Sequence, residues 1–296
     1  MLLLGRAPAK LNLALELTGR RSDGFHQLAA ISQTIDWSDI VALEADSGLA
    51  GGDFPTPELQ VWGPEAHRVP AGQANIAVRA ALLLRERGLG VPVRRLGLEK
   101  RVPPQSGLGG GSADAAAVLR LAGEGASATQ LNSIALQCGA DVPFGLHGGA
   151  ARIGGVGEQL FTLPSLTRGA FLVVVLSAVA TAAAYAVTDP GEFSDGSRVQ
   201  RLAAALEEDG PLDPSLFGSA LQPAALRAVP QLAARLATLV EAAPDARWAM
   251  TGTGGAFFSY LANATTAASL ALAVAPACPG AGIRVALPLA PQTQPD

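Results

Sequence analysis

Four glycines in five residues, Gly107, Gly109, Gly110 and Gly111, run directly into Ser112 and an alanine-rich stretch that begins at Ala113. Glycine admits left-handed backbone and lets a ligand approach the main chain without meeting a Cβ. Ser112 reads as the N-cap of a helix predicted over 113–123, so unpaired N–H groups and the positive end of a helix dipole converge on the loop. Such a place binds anions, above all phosphate. The loop lacks the Gly-Lys-Ser/Thr ending of a Walker A loop. It also fits only the first half of a dinucleotide fingerprint, which needs Gly or Ala where Ser112 stands. A flexible surface turn is the remaining reading, and a cap followed by a regular helix counts against it.

Lysine usage marks two further positions. Of 21 basic residues only Lys10 and Lys100 are lysine, so both are candidates for sites where a compact point charge is required and arginine would not serve. Near the first of them the turn-rich loop Gly19–His26 sets an aromatic, Phe25, beside a histidine. Farther on, Asp141 stands between Gly139 and Pro143 in a segment that predicts a sharp turn.

The chain that positions these residues has 296 residues, enough for about two domains burying roughly three quarters of the unfolded surface. Its net charge is −4 and no basic run exceeds two arginines, which excludes a nucleic-acid surface. Two cysteines, Cys138 and Cys278, are too few for a disulfide framework and fit the reducing cytoplasm. No secretory signal stands at the start, where Gly5, Arg6 and Lys10 follow the leucines. The uncharged stretch 169–188 is about as long as a membrane span, but only Phe171–Leu176 is strongly apolar, so a buried strand and a short helix are predicted there and no membrane partner.

Taken in order, strands are predicted over 2–5 and 11–17, then a hairpin of 31–35 and 40–44 around Trp37-Ser38-Asp39. A Gly, Pro and Asp-rich loop over 46–57 and a strand over 59–62 follow. A helix over 75–87 and a strand over 93–101 lead into the glycine loop. Helices at 113–123 and 131–138, the turn at 139–144 and strands within 148–158 complete a first unit. The boundary falls at residue 157, with 158–296 as the second unit. That unit reads as a strand at 171–176, helices near 181–187, 198–207, 230–242 and 264–274, and strands at 248–250 and 283–287. Pro211, Pro214 and Pro223 break the region between, and 288–296 reads as a frayed tail. Mixed strands and helices without long βα alternation give the fold class α+β.

Pro103-x-x-x-Gly107-Leu108-Gly109-Gly110-Gly111-Ser112-Ala113-Asp114 resembles the phosphate loop of the GHMP small-molecule kinases. Pro8-Ala9-Lys10-Leu11-Asn12, Arg21-x-Asp23-Gly24-Phe25-His26, Gly139-Ala140-Asp141-Val142-Pro143-Phe144 and Thr251-Gly252-Thr253-Gly254-Gly255 extend that resemblance over nearly the whole chain. The second and third of these are the specific ones, since other GHMP kinases share the glycine loop but lack that pair. The resemblance implies a two-domain fold with an N-terminal ribosomal-protein-S5-domain-2-like unit and a C-terminal ferredoxin-like unit. It implies transfer of phosphate from ATP, with Mg2+, to the 2-hydroxyl of 4-diphosphocytidyl-2-C-methyl-D-erythritol, in the non-mevalonate route to isoprenoid precursors. A homoserine- or mevalonate-type GHMP kinase is the alternative. The same resemblance makes Asp141 the general base and Lys10 its partner at the transferring phosphoryl group. Asn12 and Thr181 would orient the hydroxyl or Lys10, and His26 would bond the cytosine edge while Phe25 and Tyr185 stack on its faces. Phe25 departs from the family's usual tyrosine and keeps the stacking surface. ATP would be held by Asn75, Lys100, Pro103 and the loop from Gly107 through Leu108 to Ser112, with the protein ligands of the metal left open. Small-molecule substrate and ATP are the implied partners of a monomer or weak homodimer.

Overall fold

The computed structural model describes residues 1–46 and 56–291; most of the expected 46–57 loop and the last residues of the expected tail lie outside them. A first, seven-stranded sheet is built from β1 (Leu2–Arg20), β2 (His26–Ala45), β3 (Glu58–Trp62), β4 (Val93–Glu99), β5 (Ala150–Gly154), β6 (Gln159–Leu163) and a two-residue strand, β8 (Gly218–Ser219). A second sheet of order β11–β7–β10–β9 contains β7 (Ala170–Val175), β9 (Ala249–Met250), β10 (Ala256–Leu261) and β11 (Gly282–Ala286). The helices are α1 (Ile76–Glu86), α2 (Gly110–Ala122), α3 (Ala128–Cys138), α4 (Val142–His147), α5 (Thr181–Ala186), α6 (Ser197–Glu207), α7 (Gln222–Ala228), α8 (Pro230–Ala242) and α9 (Ala264–Val274).

β1 is the axis of the molecule. Every residue from Ala7 to Leu17 is buried, because the helices of the α1–α2–α3 layer and the second sheet pack against the strand. Leu11, Leu13, Leu15 and Leu17 each contribute about 1.5–3 kcal/mol by that burial. On one side Leu11, Leu13, Ile35 and Trp37 pack with Phe171, Val173 and Phe258 of the second sheet. On the other, Ala7, Val41 and Leu43 meet Ala115, Ala116 and Leu119 of α2.

Two expected breaks are absent. Residues 2–20 form one strand and 26–45 another, paired antiparallel, with three register shifts between Pro8 and Gly19 in place of chain reversals. Bulges of this kind absorb an awkward residue such as Pro8 without ending the strand. The expected boundary at 157 falls within the turn of the β5–β6 hairpin, and both strands of that hairpin belong to the first sheet, as does β8 farther along the chain. Pro223 opens α7 from its first turn, where the missing N–H costs no hydrogen bond, and Pro214 does the same for a short 3-10 turn. Pro288–Pro291 is tied down: Pro288 bridges Ile35, Pro291 bridges Gly148, and Leu289 N donates to Thr34 O at 2.9 Å. The stretch 169–188 resolves into β7 and α5, and among the described residues no helix is long and apolar enough to cross a membrane.

Candidate active site

The phosphate loop begins its helix earlier than the serine suggests. α2 starts at Gly110 with Gly109 as N-cap at φ 70°, so Ser112 lies inside the first turn and not at the cap. The left-handed angle explains a glycine at 109, and a side chain there would also press on the stem of Lys10, 3.1 Å away. The rest of the loop is clamped to the second sheet. Gln105 O accepts from Val179 N at 2.8 Å and Ser106 O from Ala256 N at 2.9 Å, while a Cβ on Gly107 would lie 2.4 Å from Thr251 O. The turn 251–255 is thus the seat of the phosphate loop, which is why both carry glycine at their contact.

A cleft of about 840 Å³ runs from this loop along β1 to the β1–β2 turn. Its walls bring together Lys10, Asn12, Phe25, His26, Pro103, Gly107, Gly109, Gly110, Gly111, Ser112, Asp141, Thr181 and Tyr185. Midway, Lys10 Nζ lies 3.6 Å from Asp141 Oδ2 and donates a hydrogen bond to Asn12 Oδ1. Asn12 is fixed in turn: its Nδ2 donates to Ser32 Oγ at 2.8 Å and its backbone N–H to Thr251 Oγ1 at 2.8 Å. Asp141 occupies the N-cap position of α4, yet its carboxylate makes no capping hydrogen bond and remains turned to the ammonium and the cleft. The segment expected as a sharp turn is therefore a helix start that leaves its acid free. Thr181 Oγ1 lies 3.3 Å from Thr253 Oγ1 at the opposite wall.

At the far end the His26 ring faces Tyr185, with centroids 5.2 Å apart, and meets the edge of Phe193 at 5.9 Å. Burial, assisted by the nearby Arg20 charge, lowers the His26 pKa, so its ring is neutral at physiological pH. Burial and the Asp141 charge push the Tyr185 hydroxyl up to about 12, so it stays protonated. Phe25 is 64% exposed at the mouth and has no ring partner among the described residues.

Three expected nucleotide residues lie off the cleft wall. Asn75 is spent as the cap of α1, accepting from Ala77 N at 2.9 Å. Leu108 turns into the core and offers only its carbonyl, to Lys10 N. Lys100 is not a wall residue: it is 2% exposed and shared between Asp39 and Asp114. Burial opposes its charge, but the two carboxylates outweigh that and raise its pKa. Asp39 completes the arrangement by accepting from Arg101 N at 2.6 Å and Val102 N at 2.8 Å, which pins the chain entering the loop. The scarcity of lysine pointed to Lys100; its acidic partners are far away in sequence and carried no local signal. Ser32 and Thr251, which fix Asn12 from distant parts of the chain, were missed for the same reason, and Arg20, another wall residue, was passed over within the Gly19–His26 loop.

The pattern of the GHMP kinases N terminal domain family matches residues 75–149, which include the phosphate loop and Asp141. A relative from Polaromonas sp., named 4-diphosphocytidyl-2-C-methyl-D-erythritol kinase, is 38% identical over 86% of this chain and 82% of its own. The crystal structure of a 4-(cytidine 5'-diphospho)-2C-methyl-D-erythritol kinase is 31% identical, covers 96% of this chain and 98% of that one, and superposes with a TM-score of 0.73. Homoserine kinase from Cytophaga hutchinsonii, at 18% identity and a TM-score of 0.69 over 100% of this chain and 96% of its own, shares the fold. With such identity sustained along most of both sequences, and with the lysine, the aspartate and the glycine loop meeting in one cleft, the chain belongs to the 4-diphosphocytidyl-2-C-methyl-D-erythritol kinase family of GHMP kinases.

Proposed function

We propose that this enzyme transfers the γ-phosphoryl group of ATP to the 2-hydroxyl of 4-diphosphocytidyl-2-C-methyl-D-erythritol, in the non-mevalonate route to isoprenoid precursors. The observation that carries this reading is the Lys10–Asp141 pair, 3.6 Å apart, set between a phosphate loop and an aromatic pocket. Phosphoryl transfer asks the protein chiefly to align the hydroxyl and neutralise charge. Asp141 receives the hydroxyl proton, and Lys10, 3.6 Å away, holds that carboxylate aimed while meeting the phosphoryl oxygens. Asn12 holds the ammonium in place, and Thr181 faces the same space from the other wall.

ATP rests its phosphates on the N–H groups at the start of α2, where the helix dipole adds to them. Asn75, Leu108 and Lys100 serve the nucleotide from behind, by fixing α1, the Lys10 backbone and the entry to the loop. Mg2+ neutralises phosphoryl charge when bound. Ser112, on the cleft wall beside the phosphate loop, is the side chain that would hold it together with the nucleotide's own phosphates. Tyr185 and Phe25 take the cytosine faces and His26 its edge, a pocket that a homoserine or mevalonate kinase would not need. Both cysteines are buried and free, in keeping with a cytoplasmic enzyme.

Coupled measurement of ADP release with this substrate, homoserine and mevalonate tests the reading. Turnover confined to the cytidine compound is expected, and turnover of homoserine or mevalonate alone overturns the assignment.

A further inference from the structure

Beside the Lys10–Asp141 pair lies a second, much smaller space of about 10 Å³ bounded by Lys10, Thr34, Gly109, Asp141 and Phe144. Thr34 is the cross-strand partner of Lys10 in the β1–β2 register, so the two side chains stand side by side on one face of the sheet. Thr34 is 3% exposed, and its hydroxyl has no hydrogen-bond partner among the described residues, although its backbone N–H and C=O are both bonded. A buried hydroxyl of this kind is costly unless something answers it.

The other two polar groups on the chamber wall have the matching need. The ammonium of Lys10 has three protons, of which one goes to Asn12, and at 3.6 Å its contact with Asp141 is longer than a direct hydrogen bond. A polar contact beyond about 3.5 Å is the span that a bridging water fills. The volume is at the threshold of about 10–15 Å³ for one water, and three polar partners are within the two to four such a water requires. We propose that this chamber is a built site for a single water molecule, bridging Lys10, Asp141 and Thr34, through which Thr34 acts as a positioning residue for the catalytic pair.

The water takes no part in bond making; it holds the ammonium and the carboxylate at a fixed separation while the cleft side of each remains free for the substrate. The catalytic half of the inference rests on the function proposed above, whereas the water site stands on its own, and the test separates the two. A crystal structure at a resolution that shows ordered solvent is expected to contain one water within hydrogen-bond distance of Thr34 Oγ1 and Lys10 Nζ, and its absence overturns the site. Thr34→Val keeps the shape and removes the hydroxyl. It is expected to lower kcat about two- to tenfold, the range of one net hydrogen bond, with the KM of each substrate unchanged. Thr34→Ser is expected to restore most of that loss. A melting temperature at or above that of the parent protein shows that Thr34→Val folds; if kcat is then undiminished, or if Ser performs no better than Val, the positioning role is overturned. Failure of the parent protein to phosphorylate the cytidine substrate overturns the function and leaves the water site to the crystallographic result.

Discussion

Single side chains at the centre of the cleft act through charge more than shape, so isosteric changes should separate chemistry from folding. Asp141 is half in solvent and caps nothing, and Asp141→Asn is expected to keep the melting temperature and ATP affinity while kcat falls about 10²–10⁴-fold. Steady-state rates beside nucleotide titration check it. Lys10→Arg preserves the charge but sets a planar, larger group between Asn12 and Asp141. Turnover is expected to drop by more than tenfold with both KM values little altered. Asp114 offers a pH experiment. Burial, working against the attraction of Lys100, pushes its pKa from 3.8 up to about 7. The folded chain thus keeps a proton that the unfolded chain gives up above about pH 4, so this group favours folding most below that value, and its contribution fades as pH rises through 7. Asp114→Asn is expected to flatten the fall of melting temperature between pH 5 and 8, which thermal scans across that range will read.

At the scale of elements, the structure shows which parts of the sequence speak for themselves. The phosphate loop and α2 were legible because glycine and alanine act locally: a left-handed turn and a helix need no distant partner. The helix nevertheless begins at Gly110, behind a loop that Val179 and Ala256 hydrogen-bond and that packs closely on residues 251–255, contacts that Ser112 alone does not imply. β1 and β2 read as four short strands because Pro8 and the Trp37-Ser38-Asp39 triplet look like punctuation. In the sheet the bulges take up Pro8, while Trp37 packs in the core and Asp39 is engaged by Lys100 and the loop backbone. The Lys10–Asp141 pairing was legible through family resemblance; its support by Ser32, Thr251 and Thr34 depends on strand register, which no local pattern encodes. The contact between the phosphate loop and the 251–255 turn can be probed directly. Gly107→Ala places a Cβ 2.4 Å from Thr251 O at φ 85°, and is expected to destabilise the protein by about 1–3 kcal/mol. Calorimetry should show ATP weakened more than the cytidine ligand, because the displaced loop holds phosphate and the His26–Tyr185 pocket is built from other elements.

Across the whole molecule the reaction centre is assembled from segments far apart in the chain: β1, the phosphate loop, the start of α4, and the 251–255 turn that seats two of them. The strap 288–291 adds a last requirement. Leu289 bonds the main chain of Thr34 and the side-chain amide of Gln33, and so secures the strand beside Lys10 without touching the cleft. A protein ended after Leu287 is expected to keep every wall residue and still lose most of its turnover, which a rate assay on the shortened chain would show. During synthesis, when the N-terminal part of a chain folds first, β1 and β2 emerge early and the strap that secures them is made last among the described residues. The strands that carry Lys10 and Thr34 therefore gain this hold only after residues 288–291 have been made, so in order of synthesis the residues of the cleft precede the segment that steadies them.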